Sequence, residues 1–340
     1  MQKRKIGNIE VSPIGMGCMG FSHGYGEIPT EKYSIEAMQM AYNFGCTFFD
    51  TAEAYGPNVL PENHGHNEKM LGKALKDVRK NVVIATKLHI STQEVKEIGL
   101  YHTVKNHLEK SLDRLQTDYA DLYYLHRLNI EIPIEEIAEV MGDLIKEKLI
   151  RGWGLSQVPV DIIQKAHEVT PLSAIQNIYS MLERSIEDDV APYCIKNNIG
   201  IVPFSPIASG FLSGKVTVQT DFSHKDDVRK YIPQLKKENI EANQPILDLL
   251  DEYAEKKNAT KAQISLAWIL HKYPNIVPIE GSKNKERILE NLGAWDIVFS
   301  DEEFCNLEKS LNSIPVHGFR GHVEMEGSSM SDWDKEKPVK

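Results

Sequence analysis

The chain has 340 residues, of which 41% are hydrophobic and 26% charged, and a formal net charge of −10; this is the composition of a globular protein, not of a disordered or fibrous one. Its length suits a single α/β barrel, which takes about 250 residues or more. With no run of like charges, no apolar leader and no stretch of about 18 apolar residues, the expectation is a cytoplasmic protein without nucleic-acid or membrane partners.

Residues 4–12 form two short polar-apolar runs joined at Gly7-Asn8, which predicts a hairpin. Short apolar runs of strand length then follow at 14–16, 48–50, 82–87, 122–126, 152–156, 174–176, 200–204 and 276–279. Between them lie segments of helical period at 31–43, 67–76, 103–115, 134–148, 160–167, 186–197, 245–257 and 261–271. Strand and helix alternating in this way predict a parallel sheet, and eight units close it into a (β/α)8 TIM barrel in the α/β class. Residues 1–340 read as one such domain, with the N-terminal β-hairpin over one end and long loops at the C-terminal face. Residues 215–243 read as an excursion after the seventh strand, and 313–340, carrying Phe319 and Trp333, as a flap or tail.

Two patterns invite other readings. Gly15, Gly17 and Gly20 match the dinucleotide fingerprint, but that motif needs a helix directly after it, and Gly24, Gly26 and Pro29 break the next residues. This predicts a glycine-rich loop at the mouth of the first strand. Cys18, Cys46, Cys194 and Cys305 form no C-x-x-C pair, and His64 and His66 have no third ligand at zinc spacing, so no metal is expected.

Three predicted strands end in ionisable residues: Asp50, Lys87 and His126. In a parallel barrel the C-terminal strand ends share one mouth, and Tyr55 follows the second strand closely enough to fold back over it. These four suit proton transfer to a carbonyl oxygen that becomes negative as hydride reaches its carbon. In this reading Tyr55 donates the proton, Lys87 makes it a better donor, Asp50 keeps Lys87 charged, and His126 orients the carbonyl. A Schiff base on Lys87 is the competing chemistry.

Asp50-Thr51-Ala52-Glu53-Ala54-Tyr55-Gly56, then Asn67-Glu68, Ala85-Thr86-Lys87 and Asp121-Leu122-Tyr123-Tyr124-Leu125-His126, resemble the corresponding segments of the aldo-keto reductase family, from about residue 4 to 311. The resemblance implies NADPH/NADP+ bound extended across the barrel mouth and a small-molecule carbonyl substrate, an aldehyde or ketone. It implies that Ser156, Gln157 and Gln176 hold the carboxamide and that Phe204 stacks on the nicotinamide. Ser205, Ile207, Gly210, Leu212 and Lys215 would bind the pyrophosphate. At the adenosine end stand Gly281, Ser282, Lys283, Arg287, Glu290 and Asn291, with Lys283 and Arg287 meeting a 2′-phosphate.

Three positions depart from the family pattern: Gln157 replaces an asparagine, Glu280 replaces a proline and is expected to weaken the preference for NADPH, and residues 57–65 are an insertion. Some proteins resembling this family bind the cofactor partly to sense redox state, which leaves a regulatory NADP-binding role as the alternative. The loop around Phe21, His23 and Tyr25, with Tyr124, Phe222 and Phe319, is expected to line the substrate pocket without choosing a substrate. Oligomeric state is open.

Overall fold

The computed structural model describes residues 3–320. Strands β1 (Arg4–Ile6) and β2 (Ile9–Val11) pair antiparallel around Gly7, whose φ of 55° is the left-handed geometry a tight turn needs. The other strands are β3 (Gly15–Gly17), β4 (Phe48–Asp50), β5 (Val83–Leu88), β6 (Ala120–Leu125), β7 (Ile150–Ser156), β8 (Ala174–Gln176), β9 (Gly200–Ile201) and β10 (Ile279–Glu280). They form one parallel sheet in the order β10-β3-β4-β5-β6-β7-β8-β9. A parallel bridge from Ile201 to Ile276, with Val277 N donating to Ile201 O at 2.8 Å, joins the last strand region to β9. The sheet therefore curls into the eight-stranded barrel expected.

Side chains alternate across a strand, and this sorts the core into layers. Phe48, Val83, Ala85, Leu122, Tyr124, Ala174, Val202, Val277 and Ile279 pack inside the barrel, and Ile6, Ile9 and Val11 of the hairpin plug its N-terminal end. Met16, Phe49 and Ile84 face outward onto Ala37, Met38, Met70 and Leu71 of the surrounding helices. The hairpin is anchored by Arg4, whose guanidinium donates to the carbonyls of Leu270, Tyr273 and Ile276.

Helix starts follow local chemistry. Thr30 accepts from Tyr33 N at the head of Glu31–Phe44, and Gly45 ends that helix at φ 117°. Thr260 and Gln263 form a reciprocal capping box before Lys261–Lys272. Thr260→Ala is expected to cost about 1 kcal/mol, read as a lowered urea midpoint at unchanged m-value.

Some boundaries differ from the sequence reading. The expected seventh and eighth strands shorten or shift because Pro203 and Pro278 have no N–H to give to a ladder; Phe204 keeps only an isolated bridge to Ile178. The helix expected over 186–197 breaks into Ser185–Glu187 and Val190–Lys196, where the Asp189 side chain caps Val190 N and restarts it. A helix at Thr92–Ile98 precedes Leu100–Leu115, the two being separated by Gly99 at φ 84°. Two further helices, Lys285–Leu292 and Asp301–Asn312, complete the outer layer.

Residues 215–243 hold only short turns and the helix Lys237–Ala242. The excursion lies against the first glycine loop: Tyr25 bridges to Asp227, and Val228 N donates to Gly24 O at 3.1 Å. Beyond the last helix, His317 exchanges hydrogen bonds with Asn243, and Arg320 Nε donates to Ser205 Oγ at 3.2 Å. This segment thus reaches the mouth. Trp333 lies outside the described residues. No described helix is long and apolar enough to cross a membrane.

Candidate active site

The inward register of three adjacent strands builds the centre. Asp50 follows Phe48 by two residues, Lys87 follows Val83 and Ala85, and His126 follows Leu122 and Tyr124, so each continues an inward-facing series toward the C-terminal mouth. Lys87 is fully buried. Its ammonium donates to Asp50 Oδ1, to Thr51 O at 2.7 Å and to Tyr55 OH at 3.2 Å. Gln176 Nε2 donates to the other Asp50 oxygen at 2.7 Å. Gln176, expected at a cofactor carboxamide, also supports the acid.

Burial opposes charge on Lys87, but Asp50 and Tyr55 outweigh it and hold its ammonium above the usual lysine range. A lysine so held is not the free amine a Schiff base requires. Burial pushes the Tyr55 phenol above its ordinary value, while Lys87, by its charge and its hydrogen bond, pulls it down, the direction expected of it. The phenol stays protonated, which is the form a proton donor must have. Asp50 is likewise raised by burial against the pull of Lys87.

His126 is half-buried, with its Nδ1 enclosed and without a partner. Its ring meets the edge of Tyr55 at 5.6 Å and lies 4.5 Å from His89. Burial, then the neighbouring His89, Arg127 and Lys87, drive it well below the usual histidine range, so it is neutral. On the other side of Tyr55, His23 sits with its ring 5.2 Å away, both nitrogens unpartnered, and burial lowers it to about 4. Neither histidine titrates near neutrality. The pH profile of kcat/KM is accordingly expected to show no step at the free-histidine pKa of about 6.5, and a histidine limb there would contradict the neutral assignment.

The loop carrying Tyr55 is held by residues that the sequence reading left without roles. Thr51 Oγ1 and Asn67 Oδ1 are 2.6 Å apart, and Asn67 Nδ2 donates to Cys18 O and Ser22 Oγ, each at 2.8 Å. The Asn67-Glu68 pair thus ties the tyrosine loop to the glycine loop, while Glu68 behind β5 binds Thr86 and Arg114. Buried Glu53 accepts from His89 N at 3.0 Å and pairs with His107 at 2.7 Å. The insertion over 57–65 is pinned at its base by Gly65 N to Glu53 O and Asn67 N to Tyr55 O, so it bulges outward and leaves Leu60 exposed. No described group of three or more His, Cys, Asp or Glu residues is placed to hold a metal; His66 hydrogen-bonds Ser22 Oγ at 2.9 Å.

The remaining sequence-named residues form a discontinuous rim. Ser156 and Gln157 end β7, Ser156 Oγ accepting from Arg127 at 3.2 Å and Gln157 Oε1 from Ile178 N at 3.1 Å. Phe204 is half-buried against the barrel interior. Ser205, Ala208, Ser209 and Gly210 all have positive φ and turn the loop sharply; Ser209 Oγ is buried without a partner. Ile207 O anchors this loop through Gly210 N and Leu212 N. Leu212 is fully buried, whereas Lys215 is exposed.

At the far rim a Cβ on Gly281 would meet nothing within 4 Å. Arg287 is exposed, and Lys283 donates to Tyr25 O and Glu27 O. Glu290 accepts from Thr260 Oγ1 at 2.8 Å, a scaffold contact, and Asn291 is buried. Open backbone beside a lysine and an arginine fits a phosphate dianion. Glu280, expected to place a carboxylate at this rim, is instead wholly buried beneath Ser282, and burial raises it to about 8. It is largely neutral at pH 7, so it does not oppose a phosphate there in the way expected.

The geometry has relatives. A family model described as Aldo/keto reductase family matches residues 13–312. "Probable aldo-keto reductase 1" of Glycine max is 34% identical over 339 residues, covering 98% of this chain and 94% of its own. The glycerol dehydrogenase of Gluconobacter oxydans superimposes with a TM-score of 0.80 at 25% identity, covering 97% of this chain and 98% of that one. An aldo-keto reductase of Klebsiella pneumoniae, solved in complex with NADPH, has a TM-score of 0.70 at 26% identity, covering 96% and 100%. The chain belongs to the aldo/keto reductase family of oxidoreductases.

Proposed function

We propose that this protein is a cytoplasmic NADPH-dependent carbonyl reductase that uses Tyr55 as proton donor toward an aldehyde or ketone. The observation that carries the reading is the single buried ammonium of Lys87, bonded at once to Asp50, Thr51 O and Tyr55 OH at the barrel mouth. Ser156, Gln157 and Phe204 would hold the nicotinamide end, the loop from Ser205 to Lys215 the pyrophosphate, and Ser282, Lys283, Arg287 and Asn291 the adenosine end. The NADPH complex of the Klebsiella relative supports the choice of cofactor. When bound, the cofactor supplies hydride to the carbonyl carbon.

The chain's own residues handle the proton. Neutral His126, beside Tyr55, orients the carbonyl oxygen without competing for its charge. Tyr55 gives its proton to that oxygen, and the resulting phenolate is stabilised by Lys87 at 3.2 Å. Asp50, held by Gln176, keeps the lysine charged and in place through the transfer. Titration with NADPH and NADH by quenching of tryptophan fluorescence, followed by an aldehyde panel read at the cofactor's absorbance, tests the reading. Tight NADPH binding with turnover is expected. Binding without turnover of any carbonyl would favour the redox-sensing alternative.

A further inference from the structure

Glu280 ends β10 opposite Met16 of β3, and its side chain has no exposure to solvent. Its Oε2 accepts from Asn291 Nδ2 at 3.0 Å and from Ser282 N at 3.2 Å, while Oε1 is enclosed with no hydrogen-bond partner. Both donors are neutral, and among the described residues no basic side chain pairs with the carboxyl. A carboxylate buried without a counter-ion is strongly disfavoured, so such a group retains its proton.

The two groups it holds stand at the phosphate end of the rim. Ser282 adjoins Lys283, and Asn291 lies one helical turn beyond Arg287 on Lys285–Leu292. We propose that Glu280 is a specificity-determining residue for the cofactor: its carboxyl positions the Ser282 amide and Asn291, and its proton sets how strongly NADPH is preferred over NADH. This rests on the cofactor reading above.

The sign follows from where the charge appears. Burial raises Glu280 to about 8, so the proton is present at neutral pH and leaves as the medium becomes alkaline. A 2′-phosphate, with its second pKa near ~6, is already a dianion by then. The new negative charge beneath Ser282 repels it. NADH presents a neutral hydroxyl at that place and is spared.

Other titratable groups near Glu280 do not imitate this, with one exception. Cys18 and Cys46, on the β3 and β4 side, are raised by burial, Cys46 to about 12, and stay neutral over the same range. Lys283 is the exception: burial and Arg229 lower its ammonium, which also faces Asp226, Asp227 and Glu27, and its loss of charge would weaken NADPH in the same direction.

The test is the dissociation constants of NADPH and NADH, by tryptophan fluorescence from about pH 6.5 to 9.5, a range spanning the Glu280 transition, for wild type, Glu280→Gln and Glu280→Met. Melting curves establish that each variant is folded. In wild type the NADPH constant is expected to rise about tenfold across the range, while that for NADH changes less than about twofold. Both variants are expected to lose that rise, and Glu280→Met, which holds neither Ser282 nor Asn291, to bind NADPH more weakly at every pH. A wild-type profile without the rise overturns the proposal, as does an equal rise in the variants, which would assign the titration to Lys283. Failure of wild type to bind NADPH at any pH overturns the cofactor reading itself and the proposal with it.

Discussion

Tyr55→Phe is expected to lower kcat by about 10²–10⁴-fold, the usual contribution of a positioned proton donor, while NADPH affinity stays nearly unchanged. The substitution removes one oxygen. The ring, its edge contact with His126 at 5.6 Å and its tilted contact with His23 at 5.2 Å are retained, so the walls of the pocket keep their shape. What disappears is the proton and the atom on which Lys87 stabilises negative charge. Single-turnover measurement of cofactor oxidation separates this from slow product release, and a variant with wild-type turnover would remove Tyr55 from the proton-donor role.

Lys87→Met should be the most damaging single change to the fold and to turnover together. Lys87 and Asp50 have side-chain exposures of 0% and 2%, so the methionine leaves a carboxyl in the interior with only Gln176 to bond it. Breaking a buried pair at one partner costs about 3–5 kcal/mol, most of it the penalty of the abandoned group. The double variant with Asp50→Asn removes that penalty and is expected to recover a substantial part of the stability, but none of the turnover. Denaturant melts of the two single variants and the double form the cycle that measures the coupling. A double variant whose loss of stability equals the sum of the two single losses would show that the pair is not coupled.

Much of this centre was legible because the strand period is two. Asp50, Lys87 and His126 each extend an inward series already marked by Phe48, Val83, Ala85, Leu122 and Tyr124, so their convergence follows once the barrel is accepted. The helix at Asp301–Asn312 is marked in the sequence too, through the capping box of Ser300 and Glu303.

Other features depend on contacts between distant parts of the chain. Gln176 reaches Asp50 across 126 positions, and no local pattern announces that the amide will hold the acid. The phenol of Tyr55 illustrates the same limit in electrostatics. Proximity to Lys87 could be inferred, but the burial that outweighs it comes from residues gathered from the whole mouth. Glu280 read as a carboxylate opposing the phosphate because it stands just before Gly281-Ser282-Lys283; only the closed barrel shows it buried.

The anchoring of the hairpin has a consequence for biosynthesis. Arg4 leaves the ribosome well before its acceptor Leu270 O, which lies 266 positions later. At about 5–20 residues per second, the hairpin waits some tens of seconds for its partners. Throughout that interval Ile6, Ile9 and Val11 have no completed barrel to plug. The nascent chain therefore carries an uncovered apolar face until β10 has been made, and the arrival of that strand is the event that both closes the barrel and buries the hairpin.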